Sequence, residues 1–342
     1  MGATVDGQVA HASGLDHTGV VAIGRNEGER LRRCLRSLPA GLGAVIYVDS
    51  GSNDDSVAFA HAQGAEVVEL DMSLPFTAAR ARNCGIERAR ARCPGLRFVQ
   101  TIDGDCELVP GFLEAAAATL VEDPTVGAVC GRRRELHPEA SLYNRLCDME
   151  WNTPVGETAA CGGDALLRLE AFDAAGGYDP GLIAGEEPDM CFRMRERGYR
   201  VLRIDCDMTR HDAAMTRFGQ WWKRNQRAGH ACAEGYQRHP EDPVARRVVR
   251  SNLVYGVLLP AAALMALPAS GGASALLLLL YAIPFMRSRR RRMREHGDRR
   301  ADAALYAAFT VLGKLPQALG GLQFQHNSLR GRRSGLIEYK GG

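Results

Sequence analysis

The sequence predicts an α/β fold: a mostly parallel sheet with flanking helices, followed by a C-terminal helical membrane hairpin. Three observations carry that prediction. Short apolar runs alternate with helix-period segments at intervals of about 25 residues, the pattern of a sheet built by right-handed crossovers. The runs end in polar clusters, and in such sheets ligands sit beyond the carboxyl ends of the strands. After residue 240 the chain changes character. Up to that point it carries 27 basic against 34 acidic residues, and beyond it 16 against 6, so a net charge of +3 is the sum of −7 and +10.

The elements follow in order. Residues 19–24 (GVVAIG) form a first buried strand, and Asn26 precedes a helical pattern through Leu31, Cys34, Leu35 and Leu38 that Pro39 and Gly41 stop. Residues 44–48 (AVIYV) are a second strand, ending in Asp49-Ser50-Gly51-Ser52-Asn53-Asp54, where Asn53 or Asp54 can cap the next helix. Residues 66–70 are a third strand, 76–92 a basic helix, 97–102 a fourth strand and 126–130 a fifth. Beyond 135 the pattern loosens. Cys161-Gly162-Gly163-Asp164 precedes a short apolar stretch, Gly185-Glu186-Glu187-Pro188-Asp189 opens a helix to about Arg197, 200–204 is a strand, and 214–238 is a polar, Trp-containing helix.

The C-terminal region reads as two uncharged arms, 252–268 and 273–286, joined by Ser270-Gly271-Gly272. Arg246, Arg247 and Arg250 precede it, and Arg287, Arg289, Arg290, Arg291, Arg292 and Arg294 follow. Basic flanks on both sides place both ends in the cytoplasm, which requires an even number of crossings. A third apolar stretch, 303–324, is broken by Lys314 and Pro316 and is expected to lie in the interface. The expected domains are a tail (1–18), a catalytic domain (19–240) and a membrane-associated helical region (241–342, hairpin about 252–286). The cytoplasmic membrane is the expected location, with membrane lipids as partners and the catalytic domain facing the cytoplasm.

Composition narrows the function. With 46% hydrophobic residues the chain can build a core, which excludes a disordered tail protein. The split charge excludes a uniformly basic nucleic-acid binder. Ten cysteines between Cys34 and Cys232 form no C-x-x-C pair and no zinc-spaced Cys/His cluster, and no apolar leader occupies residues 1–18. Scattered thiols in a reducing cytoplasm read as small buried hydrophobes.

Two acidic groups carry the chemistry. Thr101-Ile102-Asp103-Gly104-Asp105 puts two carboxylates at the end of an apolar strand, a hard-oxygen set for Mg²⁺ or Mn²⁺ bridging a diphosphate. Glu186, Glu187 and Asp189 crowd a helix start. Their mutual repulsion should raise at least one pKa, as a general base needs.

In order, Ala22-Ile23-Gly24-Arg25-Asn26-Glu27, Val48-Asp49-Ser50-Gly51-Ser52-Asn53-Asp54, Ala81-Arg82-Asn83-Cys84-Gly85, Asp103-Gly104-Asp105, Gly162-Gly163 and Gly185-Glu186-Glu187-Pro188-Asp189 resemble the family-2 glycosyltransferases, which have the GT-A fold. The resemblance covers about residues 19–235. It implies a nucleotide-diphosphate sugar donor, with UDP-sugar favoured, a divalent cation and an inverting transfer. It places Asn26, Glu27, Asp49 and Ser50 at the donor nucleoside, Asp103, Gly104 and Asp105 at the metal and diphosphate, and Glu187 as the base. Two departures stand out: Ser50 replaces a second Asp, and Glu187 replaces an Asp, so that Glu186 or Asp189 are alternative bases.

Arg80 and Arg82 are candidate phosphate contacts, and His211 a candidate third metal ligand. Gly162, Gly163, Asp164, Trp221 and Trp222 are the expected acceptor side, with Trp151 a looser candidate. Gln220-Trp221-Trp222-Lys223-Arg224 is similar to a motif of processive members but in a different order, which implies a non-processive enzyme. The expected acceptor is lipid-linked or a cell-envelope polysaccharide. The alternatives are a sugar nucleotidyltransferase, which the sequence disfavours by lacking an N-terminal Gly-rich loop with Lys, and a non-catalytic membrane-assembly subunit.

Overall fold

A computed structural model describes residues 15–332 and 335. Most of the expected tail, residues 1–14, lies outside the described residues. From Leu15, which is buried, the chain is already packed.

Nine strands form one sheet: β1 (Thr18–Gly24), β2 (Ala44–Asp49), β3 (Glu66–Glu69), β4 (Phe98–Asp103), β5 (Cys106–Leu108), β6 (Val126–Glu135), β7 (Gly156–Glu157), β8 (Ala165–Arg168) and β9 (Arg200–His211). The order is β3-β2-β1-β4-β8-β6-β9-β5, with β7 also on β9. β3, β2, β1 and β4 run parallel. β8 is antiparallel to β4 and β6, and β9 is parallel to β6. The parallel expectation therefore holds for the first four strands, and the sheet is mixed beyond them.

The inner parallel strands β1, β2 and β4 are apolar because helices cover their faces, so Val20, Val21 and Ala22 of β1 are inaccessible. The helix Ala78–Arg92 lies close on β1 and β2; a Cβ on Gly85 would overlap Val21. Thr77 caps that helix, its hydroxyl accepting from Arg80 N at 3.2 Å. Register then fixes the site, since Gly24 pairs with Asp49 and Ile23 with Asp103, bringing the ends of β1, β2 and β4 to one edge.

The C-terminal region corrects one expectation and refines another. The first arm belongs to a continuous helix, Pro243–Met265, with a π-helical turn at Val254–Leu258 just before Pro260, where the proline removes a backbone donor. The second arm is not a spanning α-helix. Ala273–Tyr281 is wound as a 3₁₀ helix and continues into the α-helix Ala282–Glu295. The two arms do pack as a hairpin: Ser274 Oγ donates to the Ala263 carbonyl at 2.7 Å and the Tyr281 hydroxyl to that of Tyr255.

Residues 303–324 form parts of two helices, Arg300–Leu312 and Lys314–Leu329. The second packs backbone to backbone on the helix Phe218–Arg238. A Cβ on Gly229 would overlap the Gln317 carbonyl, and one on Gly320 that of Gln226. The outer face leaves Leu319 and Leu322 about half exposed. The region beyond 240 is thus seated on the sheet domain, and Arg292 also donates to the Met149 carbonyl at 2.8 Å.

Candidate active site

A cavity of about 590 Å³ opens at the carboxyl ends of β1 and β4. Gly24, Arg25 and Glu27 line it from β1, Asp103, Gly104 and Asp105 from β4, and Arg82, Gly163, Glu186 and Glu187 from neighbouring elements. Three groups expected from separate stretches of sequence therefore meet in one place.

Arg82 joins two of them. It is buried, and it donates to Asp103 Oδ1 at 2.8 Å and Glu186 Oε1 at 2.5 Å. Burial alone would push the Asp103 carboxyl up; Arg82 and then Arg133 outweigh burial and hold it below the usual carboxylate range. A Cβ on Gly163 would sit 2.7 Å from Arg82 Nη2, so the bare glycine leaves room for this pair. Arg80, by contrast, is corrected. Its guanidinium is spent on the Asp71, Leu74 and Pro75 carbonyls and does not line the cavity.

Asp105 and His211 are both buried, with His211 Nε2 3.3 Å from Asp105 Oδ2. With Cys106 Sγ, their ligand atoms lie within 4.8 Å of one another. Asp103 groups instead with Cys106 and Asp164, so the expected metal trio is split into two adjacent sets. His211 Nδ1 is buried without a hydrogen-bond partner among the described residues, and Trp151 packs edge-on against the ring at 4.9 Å. Carboxylate oxygens with an imidazole nitrogen suit Mn²⁺ or Mg²⁺.

The three helix-start acids do not share one environment. Asp189 is buried between Arg193 (2.7 Å), Arg238 (3.0 Å) and His239 (2.8 Å). Burial opposes its ionisation, but the His239 hydrogen bond and Arg193 hold it low. The expectation that it serves as an alternative base is corrected: its oxygens are occupied by cations. Glu186 is tied to Arg82. Glu187 lines the cavity with no basic partner among the described residues; Oε1 accepts from Cys161 N at 2.5 Å and from the Cys191 thiol at 3.0 Å.

On the donor side, Asn26 adopts a left-handed φ of 54° and links two loops. Its N–H donates to Ser52 Oγ and its Oδ1 accepts from Asn53 N, both at 2.8 Å. Glu27 pairs with Arg30 at 2.8 Å. Asp49 is buried, accepting from the Tyr47 hydroxyl, Gly51 N and Ser52 N. Ser50 is buried beside it. Asp49 and Ser50 do not line the cavity; Asp49 shapes the turn that Asn26 holds.

Of the expected acceptor residues, Gly162 is exposed and Gly163 lines the cavity. Asp164 is corrected: it is fully buried, accepting from Asp103 N, Thr209 Oγ1 and Arg133. Trp221 is corrected too, as a core residue packed edge-on against Phe309 at 5.0 Å, and Trp222 lies outside the cavity, tilted against Phe218 at 5.7 Å.

Residues 20–159 match the family model described as glycosyl transferase family 2. The chain carries a family-2 glycosyltransferase domain. A relative, the pre-mycofactocin glycosyltransferase of Mycobacterium tuberculosis, is 30% identical over 260 residues, covering 69% of this chain and 52% of its own. The succinoglycan biosynthesis protein ExoA of Rhizobium meliloti is 29% identical over 190 residues, covering 52% and 55%. The chain spans about half the length of the curated relatives it matches. The glycosyltransferase fold, GT-A-like, is shared with the mannosyltransferase PcManGT from Pyrobaculum calidifontis, solved with GDP-Man and Mn²⁺, at a TM-score of 0.60 and 20% identity over 89% of this chain and 87% of that one.

The glycosyltransferase domain also uses residues that the sequence reading passed over. Arg133 is half-buried, pairs with Asp164 at 2.8 Å and lies over Trp151 at 5.6 Å. Strand alternation was the available signal. Within Arg132-Arg133-Arg134, only the middle residue faces the acids, while its neighbours pair with Asp148 and Asp207. Arg224, paired with Glu150 at 2.7 Å, and Arg227 add cations to the cavity wall.

Proposed function

We propose that this chain is an inverting, metal-dependent, non-processive glycosyltransferase. Its donor is a nucleoside-diphosphate sugar, UDP-linked in the first instance. Its acceptor is lipid-linked or a cell-envelope polysaccharide at the cytoplasmic membrane face. The observation that carries this reading is the meeting of Asp103, Asp105, Arg82 and Glu187 around one cavity.

Asp103, Asp105 and His211 are the residues that would hold the cation. A divalent cation there supplies charge neutralisation for a leaving diphosphate. Arg82, fixed by two carboxylates, lines the cavity together with Arg224 and Arg227. Asn26 and the 50–54 turn shape the nucleoside end. Glu187 takes the acceptor hydroxyl proton. Among the described residues no cation holds it, and the Cys161 N–H and Cys191 thiol orient it. A single displacement at the anomeric carbon needs no covalent enzyme intermediate and inverts that centre. One relative is named for succinoglycan biosynthesis and another for acting on pre-mycofactocin, which supports a glycosyl acceptor without choosing its class.

The membrane reading rests on the helix Pro243–Met265, with 23 residues and a mean hydropathy of 1.5 over its apolar window, of which 17% is buried. Its uncharged part, residues 251–265, reaches about 22 Å at 1.5 Å per residue, short of a hydrocarbon core of about 30 Å. The 3₁₀ arm rises only about 18 Å, so the pair dips into one leaflet as a hairpin and does not cross twice. Leu264, Met265, Leu276 and Leu279 at its tip are each more than 60% exposed. The arginines at its base suit an anionic inner leaflet.

The test is a thermal-stability screen of nucleoside-diphosphate sugars with and without Mn²⁺, followed by the anomeric configuration of the product. A donor at 100 times its Kd adds about 2.7 kcal/mol, a shift of several degrees. The expected result is a Mn²⁺-dependent shift with one donor, lost in Asp105→Ala together with transfer. Full transfer by Asp105→Ala would sink the assignment.

A further inference from the structure

Cys161 and Cys191 stand 30 residues apart, too far for a local metal motif to signal them, yet the fold brings their sulfurs to 3.5 Å. Cys191 lies one turn beyond Glu187 on the helix Glu186–Glu196, so both point to the same side. The ligand atoms of Cys161, Glu187 and Cys191 all lie within 4.8 Å of one another, and all three residues are buried. A third thiol, Cys130, feels this cluster; burial and then the Glu187 and Cys191 charges push it up to about 12.

We propose that Cys161, Cys191 and Glu187 form a soft-metal site, suited to Zn²⁺ and distinct from the aspartate set at β4. Two thiolates and one carboxylate with a fourth position toward the cavity is a zinc-type donor set. Tetrahedral zinc would hold the sulfurs roughly 3.8 Å apart and each about 3.6 Å from the carboxylate oxygen. The observed separations are 3.5 Å between sulfurs, 3.0 Å from Cys191 Sγ to Glu187 Oε1 and no more than 4.8 Å from Cys161 Sγ to the carboxylate, so side-chain movements on the order of an ångström suffice.

Binding forms two Zn–S bonds and one Zn–O bond. Two thiol protons leave to solvent, and no oxidant or reductant is needed. The positive end of the helix opened by Gly185 favours the added negative charge. Gly162, exposed with φ 85° and no atom within 4 Å of where a Cβ would lie, leaves an approach beside Cys161. On the reading of Glu187 as the base, an occupied site removes that carboxylate from the reaction, so Zn²⁺ acts as a reversible brake.

The experiment reads metal binding alone and does not depend on transfer. The reduced protein is titrated with Co²⁺, whose thiolate complexes absorb in the near ultraviolet and whose carboxylate complexes do not. The expected result is a thiolate-to-cobalt band saturating at one equivalent, removed by Zn²⁺, retained in Asp105→Ala and lost in both Cys191→Ser and Cys161→Ser. Thermal melts confirm that the serine variants fold. Absence of the band overturns the proposal. So does a band that survives both serine variants, which would assign it to Cys106 beside Asp105 and His211. Thiol counts two short and restored by a reductant would replace the metal site with a disulfide.

Discussion

Glu187 and Asp189 lie two residues apart on one helix turn and are put to opposite uses. The difference is their partners. Asp189 faces two arginines and a histidine, whereas Glu187 faces a peptide N–H and a thiol. Removing charge should separate them. Glu187→Gln should lower kcat by about 10²- to 10⁴-fold while the donor-induced stability shift persists. A kcat within tenfold of the parent would move the proton to another group. Asp189→Asn should instead cost stability, roughly 2 kcal/mol, because its cations are partly solvated. The Asp189 carboxyl titrates lower in the folded than in the unfolded chain. Its contribution is therefore complete above the unfolded value of about 3.9 and drains away as the pH falls through the lower folded value. Melts of the parent and Asp189→Asn at pH 7 and pH 3 should converge at the lower pH. At this scale the sequence exposed the acids but not their allotment. Residue type shows that three acids are close, and only the tertiary fold decides that Arg238 and His239, some 50 positions on, reach one of them.

Helices and strands differ in how far they were legible. β1, β2 and β4 are apolar runs because both their faces are covered, and β3 is a half-exposed edge strand, Glu-Val-Val-Glu, yet the limits of all four could be read to within a residue or two. β5 and β7 have three and two residues, too few to show a period. The second half of β9 carries Asp205, Asp207 and Arg210 and reads as a loop; it is a strand because β6 and β5 pair with it. The helix Phe218–Arg238 was visible, but its partner was not, since contact is made through glycines that have no side chain to signal it. That contact is testable. Gly320→Ala, which overlaps the Gln226 carbonyl, should cost at least about 2 kcal/mol in a thermal melt. Gly321→Ala, whose added carbon would meet Ala233 at 3.6 Å and the Gly229 carbonyl at 3.8 Å, both ordinary contacts, should be tolerated. Equal melting of the two variants would refute the close crossing.

For the whole molecule, the opposed charges of its two parts acquire a spatial meaning. The acidic part holds the cavity, and the basic part surrounds an apolar tip. Replacing Leu276 and Leu279 with Glu removes two exposed leucines, each worth about 1.5 kcal/mol or more on burial, so sedimentation with anionic vesicles should fall at least tenfold. Unchanged sedimentation would leave the arginines alone as the attachment. Raising salt should weaken binding of the parent through those arginines.

Gln317 lines the donor cavity, yet it belongs to the helix beyond residue 240 that locks onto Gly229. The boundary that composition draws at 240 is therefore no place to cut. A chain trimmed there to gain solubility would lose one wall of its reaction chamber and expose the glycine-lined seam beneath it. The stretch that composition sets apart is also masonry of the cavity.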